Sequence, residues 1–192
     1  LPEPFLMGNP INCPDGETCW IVNYPDKDRS RKSADYNCGR LSTNRQYSTD
    51  FAVNGNAAVR KGIPVQSVAP GVVLGARNNG PDYFRGKPAK PIAKNRYCGN
   101  GVLIEHDEGW TTQYCHLRKG SVTVRKGDEV AEGQMIGFVG LSGDTIFPHL
   151  SLPLRRDKTV VDPFVGPAPS SACGLGEGQV WRSPDDPGLA YL

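Results

Sequence analysis

Short runs of alternating apolar and polar residues cover most of the chain, a pattern that is typical of β-strands. Residues 62–75 alternate around Pro70-Gly71 and predict a first hairpin that turns at these two residues. Residues 101–106 and 110–117 alternate on either side of Glu108-Gly109 and predict a second hairpin. No sustained helical period interrupts these runs, so the pattern predicts a mainly β fold.

The stretch from 117 to 152 continues this pattern with very short runs. Three alternating runs separated by Gly127 and Gly133 predict a tightly turned β-meander. A further apolar run begins at His149 and predicts a last strand. The predicted meander therefore delivers one histidine to the start of that strand.

Three segments depart from the alternating body. Residues 1–45 are rich in proline, lack a sustained period and predict an irregular arm with a short strand at 19–23. Residues 77–97 combine prolines with several cations and predict an insertion loop, either solvated or contacting an anionic partner. Residues 166–192 are rich in glycine, proline and serine. We therefore predict an arm, a body at 46–165 and a tail packed on that body.

Composition supports short strands and excludes some classes of protein. The 192 residues include 23 glycines and 17 prolines, which favours many turns. A net charge of +2 gives no reason to expect nucleic acid as a partner. No run approaches the length of about eighteen apolar residues that a membrane span needs. The chain also begins without a charged and then apolar leader. We expect a mature or trimmed form without a membrane span.

Six cysteines occur without the paired Cys-x-x-Cys spacing of a structural zinc site. Three disulfides formed in an oxidising compartment are the simplest account, and buried free thiols are the alternative. Six cysteines allow fifteen pairings, so the sequence leaves the connectivity open. We favour Cys98–Cys115, because the hairpin between them turns near residue 108, together with Cys13–Cys19 as a local clip and Cys38–Cys173 by elimination.

Three blocks of sequence resemble a known family. They are Tyr114-Cys-His116-Leu, the Val-x-x-Gly-x-x-Val-x-x-Gly rhythm around Gly127 and Gly133, and Pro148-His149-Leu150. Together they are similar to the lysostaphin or LytM-type zinc peptidases of bacterial cell walls, in the family order and over roughly residues 49–164. The resemblance implies an antiparallel β-sheet domain of the LytM type, carrying an irregular N-terminal arm and a C-terminal tail.

The resemblance also implies positions for a zinc site. In this family a His-x-x-x-Asp pair and the last histidine of a His-x-His hold zinc, while two further histidines handle protons. Alignment on Asp50 places Gln46 at the first ligand position, and the His-x-His becomes His149-Leu-Ser151. Asp50 is retained, whereas neutral Gln46 and Ser151 replace the other two ligands. His116 and His149 take the proton-handling positions.

The replaced ligands change the function that the resemblance implies. We expect no cofactor and predict a catalytically impaired domain, periplasmic or secreted. This domain would bind a cell-wall peptide, such as a peptidoglycan stem peptide, or regulate a peptidoglycan hydrolase. The alternative is an active zinc metallo-endopeptidase that cleaves peptidoglycan cross-links with an altered ligand set, provided that Asp50, His116 and His149 converge on one point.

Plainer interpretations of the same residues also exist. Asp50 could be a turn residue that hydrogen-bonds its own backbone, and His116 a core imidazole. His106 is predicted to be structural or at the rim. A biotinyl or lipoyl carrier domain has a similar glycine rhythm, but Lys126 lacks the flanking motif of a modified lysine, and disulfides fit that cytosolic role poorly.

Overall fold

Ten β-strands and one short helix form the fold in the computed structural model, which describes residues 4–13, 17, 19–86, 88 and 90–182. The strands are β1 (Cys19–Asn23), β2 (Ser48–Val53), β3 (Pro64–Gln66), β4 (Gly71–Arg77), β5 (Asn100–Glu105), β6 (Trp110–Leu117), β7 (Glu129–Val130), β8 (Met135–Phe138), β9 (His149–Arg156) and β10 (Thr159–Val161). Helix α1 spans Gly55–Lys61, and two 3₁₀ turns lie at Lys94–Arg96 and Asp107–Gly109. The predicted mainly β fold class is confirmed.

Eight of these strands form one antiparallel sheet. Its order is β1–β2–β9–β6–β5–β4–β7, with β10 paired along the end of β9, while β3 and β8 form a separate pair. Strand β9 lies between β2 and β6. In this register Ser151 of β9 is opposite Asp50 of β2 on one side and Cys115 of β6 on the other. Three neighbouring strands thus bring distant parts of the chain to one place.

Strands β2 and β9 are buried on both faces, which explains why their sequences do not alternate cleanly. Every residue of β2 is buried, and so are the first six residues of β9. The hydrophobic core around them also takes in residues from the predicted arm and tail, such as Met7 and Trp181, which form a parallel bridge. Arm, body and tail therefore share one core.

The three disulfides join the pairs that the sequence favoured: Cys13–Cys19, Cys38–Cys173 and Cys98–Cys115. Cys38–Cys173 connects the predicted arm to the predicted tail across 135 residues of chain. Nearby, Lys27 Nζ donates a hydrogen bond to the carbonyl oxygen of Ala172 at 2.6 Å. The bond and the disulfide hold the arm and tail together.

The strand pairings differ from two local predictions. The hairpin at Pro70-Gly71 does not form, because β3 pairs with β8 whereas β4 pairs with β5 and β7. The predicted meander is also wrong in its hydrogen bonding, since β7 and β8 pair with these earlier strands. The physical reason is burial: pairing β3 with β8 places Val65 and Ile136 in the core, both fully buried. Tertiary packing overrides the local turn signal.

The carboxylate of Asp82 is one of the groups that hold the predicted insertion loop on the body. Asp82 Oδ1 accepts a hydrogen bond from the Leu141 amide at 2.7 Å, and Oδ2 accepts one from the Lys119 amide at 2.9 Å. Asp82 and Ser142 also form an isolated antiparallel bridge. The loop therefore packs on the segment that leads to β9.

Among the described residues, no helix is both long and apolar enough to cross a membrane.

Candidate functional site

A cavity of about 270 Å³ opens beside the beginning of β9. Its lining includes all five residues that the resemblance placed in one site: Gln46, Asp50, His116, His149 and Ser151. Sheet register explains this grouping, since β2, β9 and β6 are neighbours. The other residues in its lining are Tyr47, Ser48, Asp144, Thr145, Ile146 and Phe147.

The carboxylate of Asp50 is buried and hydrogen-bonded by neutral side chains. Its Oδ2 accepts hydrogen bonds from Gln46 Nε2 at 2.8 Å and from Asn23 Nδ2 at 3.2 Å. Its Oδ1 accepts one from Ser48 Oγ at 2.9 Å. Residues 46, 48 and 50 can act together because alternate residues of an extended chain face the same side. The protein itself thus solvates this buried charge.

The Ser151 hydroxyl belongs to the same network. Ser151 Oγ donates to Ser48 Oγ at 2.8 Å, across the β2–β9 pair. Gln46 Nε2 also donates to Ser48 Oγ at 3.0 Å and to the Ser48 carbonyl oxygen at 3.1 Å. Ser48 therefore links both residues at the replaced ligand positions to the carboxylate of Asp50.

His116 has an unusual backbone and a constrained ring. Its φ angle is 65°, and its amide donates to the Cys98 carbonyl oxygen at 2.8 Å. Its Nδ1 lies 2.8 Å from the carbonyl oxygen of Ser142, which can only accept, so Nδ1 carries the proton. Burial, with a smaller contribution from nearby His149, lowers the pKa of His116 to about 3. The ring is neutral near pH 7, and Nε2 is an acceptor.

His149 adopts a matching arrangement. Its Nδ1 lies 3.0 Å from the Phe147 carbonyl oxygen and 3.2 Å from Thr145 Oγ1. The carbonyl fixes the proton of a neutral ring on Nδ1, leaving Nε2 as an acceptor. The two histidine rings are 4.7 Å apart between centroids. Nε2 of His149 is 3.9 Å from Asp50 Oδ1, too far for a hydrogen bond.

The side chains at the three expected ligand positions do not fit a zinc ion. The Gln46 amide group points its nitrogen, a donor, at Asp50. The Ser151 hydroxyl donates to Ser48, and three donors occupy the Asp50 oxygens. Zinc sites are made of imidazole, thiolate and carboxylate groups at about 2.0 to 2.3 Å. Across the described ranges, no group of three or more His, Cys, Asp and Glu side chains could hold a metal ion.

Several residues of the site were not identified from the sequence. Ser48 and Asn23 bind the Asp50 carboxylate, and Ser142 and Thr145 orient the histidine rings. Ser48 carried a usable signal, because it lies midway between residues 46 and 50 on one face of an extended segment. The other three come from distant or irregular segments.

His106 lies away from this cavity. Its ring is buried, with Nδ1 2.6 Å from the Pro70 carbonyl oxygen and Nε2 2.8 Å from Thr112 Oγ1. Both ring nitrogens are therefore engaged in holding β6 to the turn before β4. Burial lowers the pKa of His106. These contacts are structural, as the sequence predicted.

The sequence model of Peptidase family M23 matches residues 46–163, more than half of the chain. The chain belongs to this family. The match begins at Gln46 and includes every residue that lines the cavity, so the site described above lies within the family's domain. The resemblance to LytM-type zinc peptidases is confirmed.

Two curated relatives are each about a third identical to this chain over the aligned residues. The peptidoglycan DD-endopeptidase ShyA of Vibrio cholerae is 33% identical over 132 residues, covering 66% of this chain and 25% of ShyA. The cell division protein DipM of Caulobacter vibrioides is 33% identical over 107 residues, covering 56% of this chain and 15% of DipM. The chain thus spans a quarter or less of these relatives.

Solved structures show the same fold at lower identity. A structure of the SpoIIQ–SpoIIIAH pore-forming complex contains a chain with a TM-score of 0.55 and 21% identity, covering 84% of this chain and 90% of that one. Helicobacter pylori Csd3 gives a TM-score of 0.53 at 20% identity, covering 89% of this chain and 38% of Csd3. At these identities the likeness shows the fold alone.

Proposed function

We propose that this chain is a catalytically impaired M23 domain that binds a cell-wall peptide in the cavity beside β9 and does not use zinc. The observation that supports it is the hydrogen bonding of Asp50, whose buried carboxylate is satisfied by Gln46, Ser48 and Asn23. A buried carboxylate that accepts hydrogen bonds from three neutral donors is stabilised by the protein itself, although it keeps its negative charge. Such a site has no requirement for a metal ion.

The energetic cost of the two replacements supports the loss of zinc affinity. A strong zinc site is worth about 10 to 16 kcal/mol, shared over about four ligands. Losing two of them forfeits roughly 5 to 8 kcal/mol, or about four to six powers of ten in affinity. Binding zinc would also require breaking the Gln46–Asp50 hydrogen bond.

Without a metal ion, the two histidines cannot replace the missing chemistry. A bound metal supplies both an activated water and a Lewis acid at the peptide carbonyl. General acid and base catalysis contributes only about a hundredfold to ten-thousandfold. His116, with its pKa lowered to about 3, is also poorly suited to accept a proton near pH 7. We expect peptide hydrolysis to be negligible.

The cavity has the walls of a peptide-binding groove. Tyr47 and Ile146 line it and remain 51% and 78% exposed, respectively, while its floor is polar. Apolar walls with a few polar groups suit an extended peptide. The relation to peptidoglycan DD-endopeptidases such as ShyA supports a peptidoglycan stem peptide as the ligand. Three disulfides support a periplasmic or secreted location.

Regulation of a peptidoglycan hydrolase is the second candidate role for the same groove. The relative named as a cell division protein favours it, as does the chain of similar fold in the SpoIIQ–SpoIIIAH complex. In that role the groove would contact a partner protein. A pull-down that recovers a hydrolase, together with failure of stem peptides to bind, would replace the first candidate with the second.

Restoring the two replaced ligands tests the loss of zinc. The double variant Gln46→His with Ser151→His should bind one zinc ion per chain, because two imidazoles and Asp50 then supply three ligands. The wild-type chain should bind at least a thousandfold more weakly. Equilibrium dialysis against zinc followed by metal analysis measures both.

The single variants Gln46→His and Ser151→His are the matched controls, and each should fall between the wild type and the double variant. Peptidoglycan cross-linked by stem peptides serves as the substrate in a parallel hydrolysis assay. Stoichiometric, tight zinc binding by the wild type, with cleavage that a chelator abolishes, would show that the domain is an active metallo-endopeptidase.

A further inference from the structure

The part of the cavity lining that the structure describes carries negative charge. Among the described residues that line it, Asp50 and Asp144 are acidic, and none is lysine or arginine. Asp50 is buried, so its charge acts through protein more than through water. The cavity therefore favours a positively charged group over a neutral or negative one.

The hydrogen-bonding groups directed at the cavity are acceptors. His116 and His149 are both buried and have Nδ1 engaged with carbonyl oxygens. In the described part of the chain, Nε2 of His116 has no hydrogen-bond partner, and Nε2 of His149 has only the 3.9 Å approach to Asp50. An ionised carboxylate has about four lone-pair sites, and Asp50 uses three of them.

The described hydrogen-bond donors around Asp50 already donate to other groups of the protein. Gln46 Nε2 and Ser48 Oγ donate to Asp50, and Ser151 Oγ donates to Ser48. A ligand carboxylate at this position would face hydrogen-bond acceptors and a negative charge. None of the donors named above would be free to bind it. An apolar ligand group would cover the Nε2 atoms of His116 and His149 without giving them hydrogen-bond donors, which costs free energy.

We propose that the cavity binds a primary ammonium group of its peptide, held by the Asp50 carboxylate and by Nε2 of His116 and His149. This inference rests on the proposed function and specifies its ligand as an amine-bearing stem peptide. An ammonium group has three N–H donors and one positive charge, which match three acceptors and a negative site. The positive charge of the ligand would then lie beside the Asp50 carboxylate, where it replaces only the charge of a metal ion and not its catalytic chemistry.

Two matched peptides test this inference. Nα-acetyl-L-lysyl-D-alanyl-D-alanine carries one free amine, and its Nα,Nε-diacetyl form has the same backbone without that positive charge. The wild-type chain should bind the free-amine peptide about tenfold or more tightly than the diacetyl peptide, as expected for a charge-assisted hydrogen bond. Nuclear magnetic resonance titration gives both dissociation constants.

The variant Asp50→Asn should abolish this preference, because it removes the negative charge while keeping the side-chain shape. The variant Asp107→Asn, at an exposed residue of a 3₁₀ turn, is the matched control and should keep it. In the wild type, ring ¹⁵N signals of His116 and His149 should move with the free-amine peptide and much less with the diacetyl peptide. That measurement does not depend on the folding of any variant.

The outcomes separate the inference from the proposed function. If both peptides bind equally, the ammonium site is wrong and peptide binding stands. If Asp50→Asn keeps the tenfold preference, the amine is recognised elsewhere and the inference is overturned. If neither peptide binds and the histidine signals do not move, both the ammonium site and the stem-peptide function are wrong.

Discussion

At the scale of single residues, Asp162 has an environment that makes protein stability depend on pH. Its Oδ1 accepts a hydrogen bond from the Phe164 amide at 2.9 Å, whereas its Oδ2 is buried and has no hydrogen-bond partner in the described part of the chain. Burial raises the pKa of Asp162 to about 7; the Phe164 hydrogen bond and the charge of Lys27 oppose the rise, and Asp35 adds to it.

This raised pKa predicts a loss of stability as the pH rises. Between pH 4 and pH 7 the carboxyl group ionises in the unfolded chain but stays protonated in the folded one, so the folded state binds more protons. The free energy of unfolding therefore falls over this window, by at most about 4 kcal/mol from this group. Asp162→Asn should be more stable than the wild type at pH 7.5, and the difference should shrink by about 3 kcal/mol or less at pH 4.5.

Urea unfolding of both proteins at the two pH values measures this difference. The substitution Asp157→Asn, at an exposed residue, is the matched control and should not change its effect between the two pH values. A constant difference between Asp162→Asn and wild type would mean that the Asp162 carboxyl group ionises alike in the folded and unfolded chains.

Residue-scale chemistry was only partly predictable from the sequence. The five site residues could be aligned because the family motif retains their spacing, and the structure places all five around one cavity. Among the partners of Asp50, Asn23 was not predictable in the same way. Asn23 reaches it from 27 residues away because β1 pairs with β2. Local sequence carries no information about that contact.

At the scale of elements, Tyr114 connects strand β6 to the segment before β4. Its hydroxyl oxygen accepts a hydrogen bond from the Val68 amide at 2.9 Å and one from Thr112 Oγ1 at 3.2 Å. Tyr114 and Val68 are both fully buried. The contact satisfies a backbone donor in a segment that forms no hairpin of its own.

Replacing Tyr114 by phenylalanine should therefore destabilise the fold by about 1 to 3 kcal/mol, because the buried Val68 amide loses its acceptor. Tyr97→Phe is the matched control at an exposed ring and should change stability by less than about 0.5 kcal/mol. Denaturant unfolding monitored by circular dichroism measures both. Equal, small effects of the two substitutions would show that water replaces the hydroxyl group at Val68.

Elements were predictable where pairing is local. The hairpin of β5 and β6 has a short connection, and its alternating pattern predicted it correctly. The pairing partners of β3 and β4 were not predictable. Pro70-Gly71 is a good turn signal, but the strands on either side of it pair with other strands. Helix α1 was also missed, because its seven residues are too few to establish a helical period.

At the scale of the whole molecule, one disulfide joins the arm to the tail and another closes a short loop within the arm. Cys38–Cys173 spans 135 residues, whereas Cys13–Cys19 spans 6. In the chain-entropy account, a crosslink stabilises by restricting the unfolded chain, and more so for a longer loop. The two crosslinks should therefore contribute unequally.

Removing Cys38–Cys173 by a double serine substitution should cost about 5 kcal/mol, against about 2 kcal/mol for the same change at Cys13–Cys19. Both variants keep the remaining disulfides, so each serves as the control for the other. Urea unfolding under non-reducing conditions measures the two losses. Equal losses would mean that loop length in the unfolded chain does not determine what these crosslinks contribute.

The disulfide Cys98–Cys115 lies next to the site, and this has a practical consequence for how the protein is prepared. Cys115 directly precedes His116, whose left-handed backbone donates to the carbonyl of Cys98 itself. The disulfide thus holds Cys98 next to His116, both through the covalent link to Cys115 and through the hydrogen bond from the His116 amide. Protein made in a reducing cytoplasm would lack this brace, and ligand titrations on such material would underestimate affinity for reasons unrelated to the chemistry of the groove.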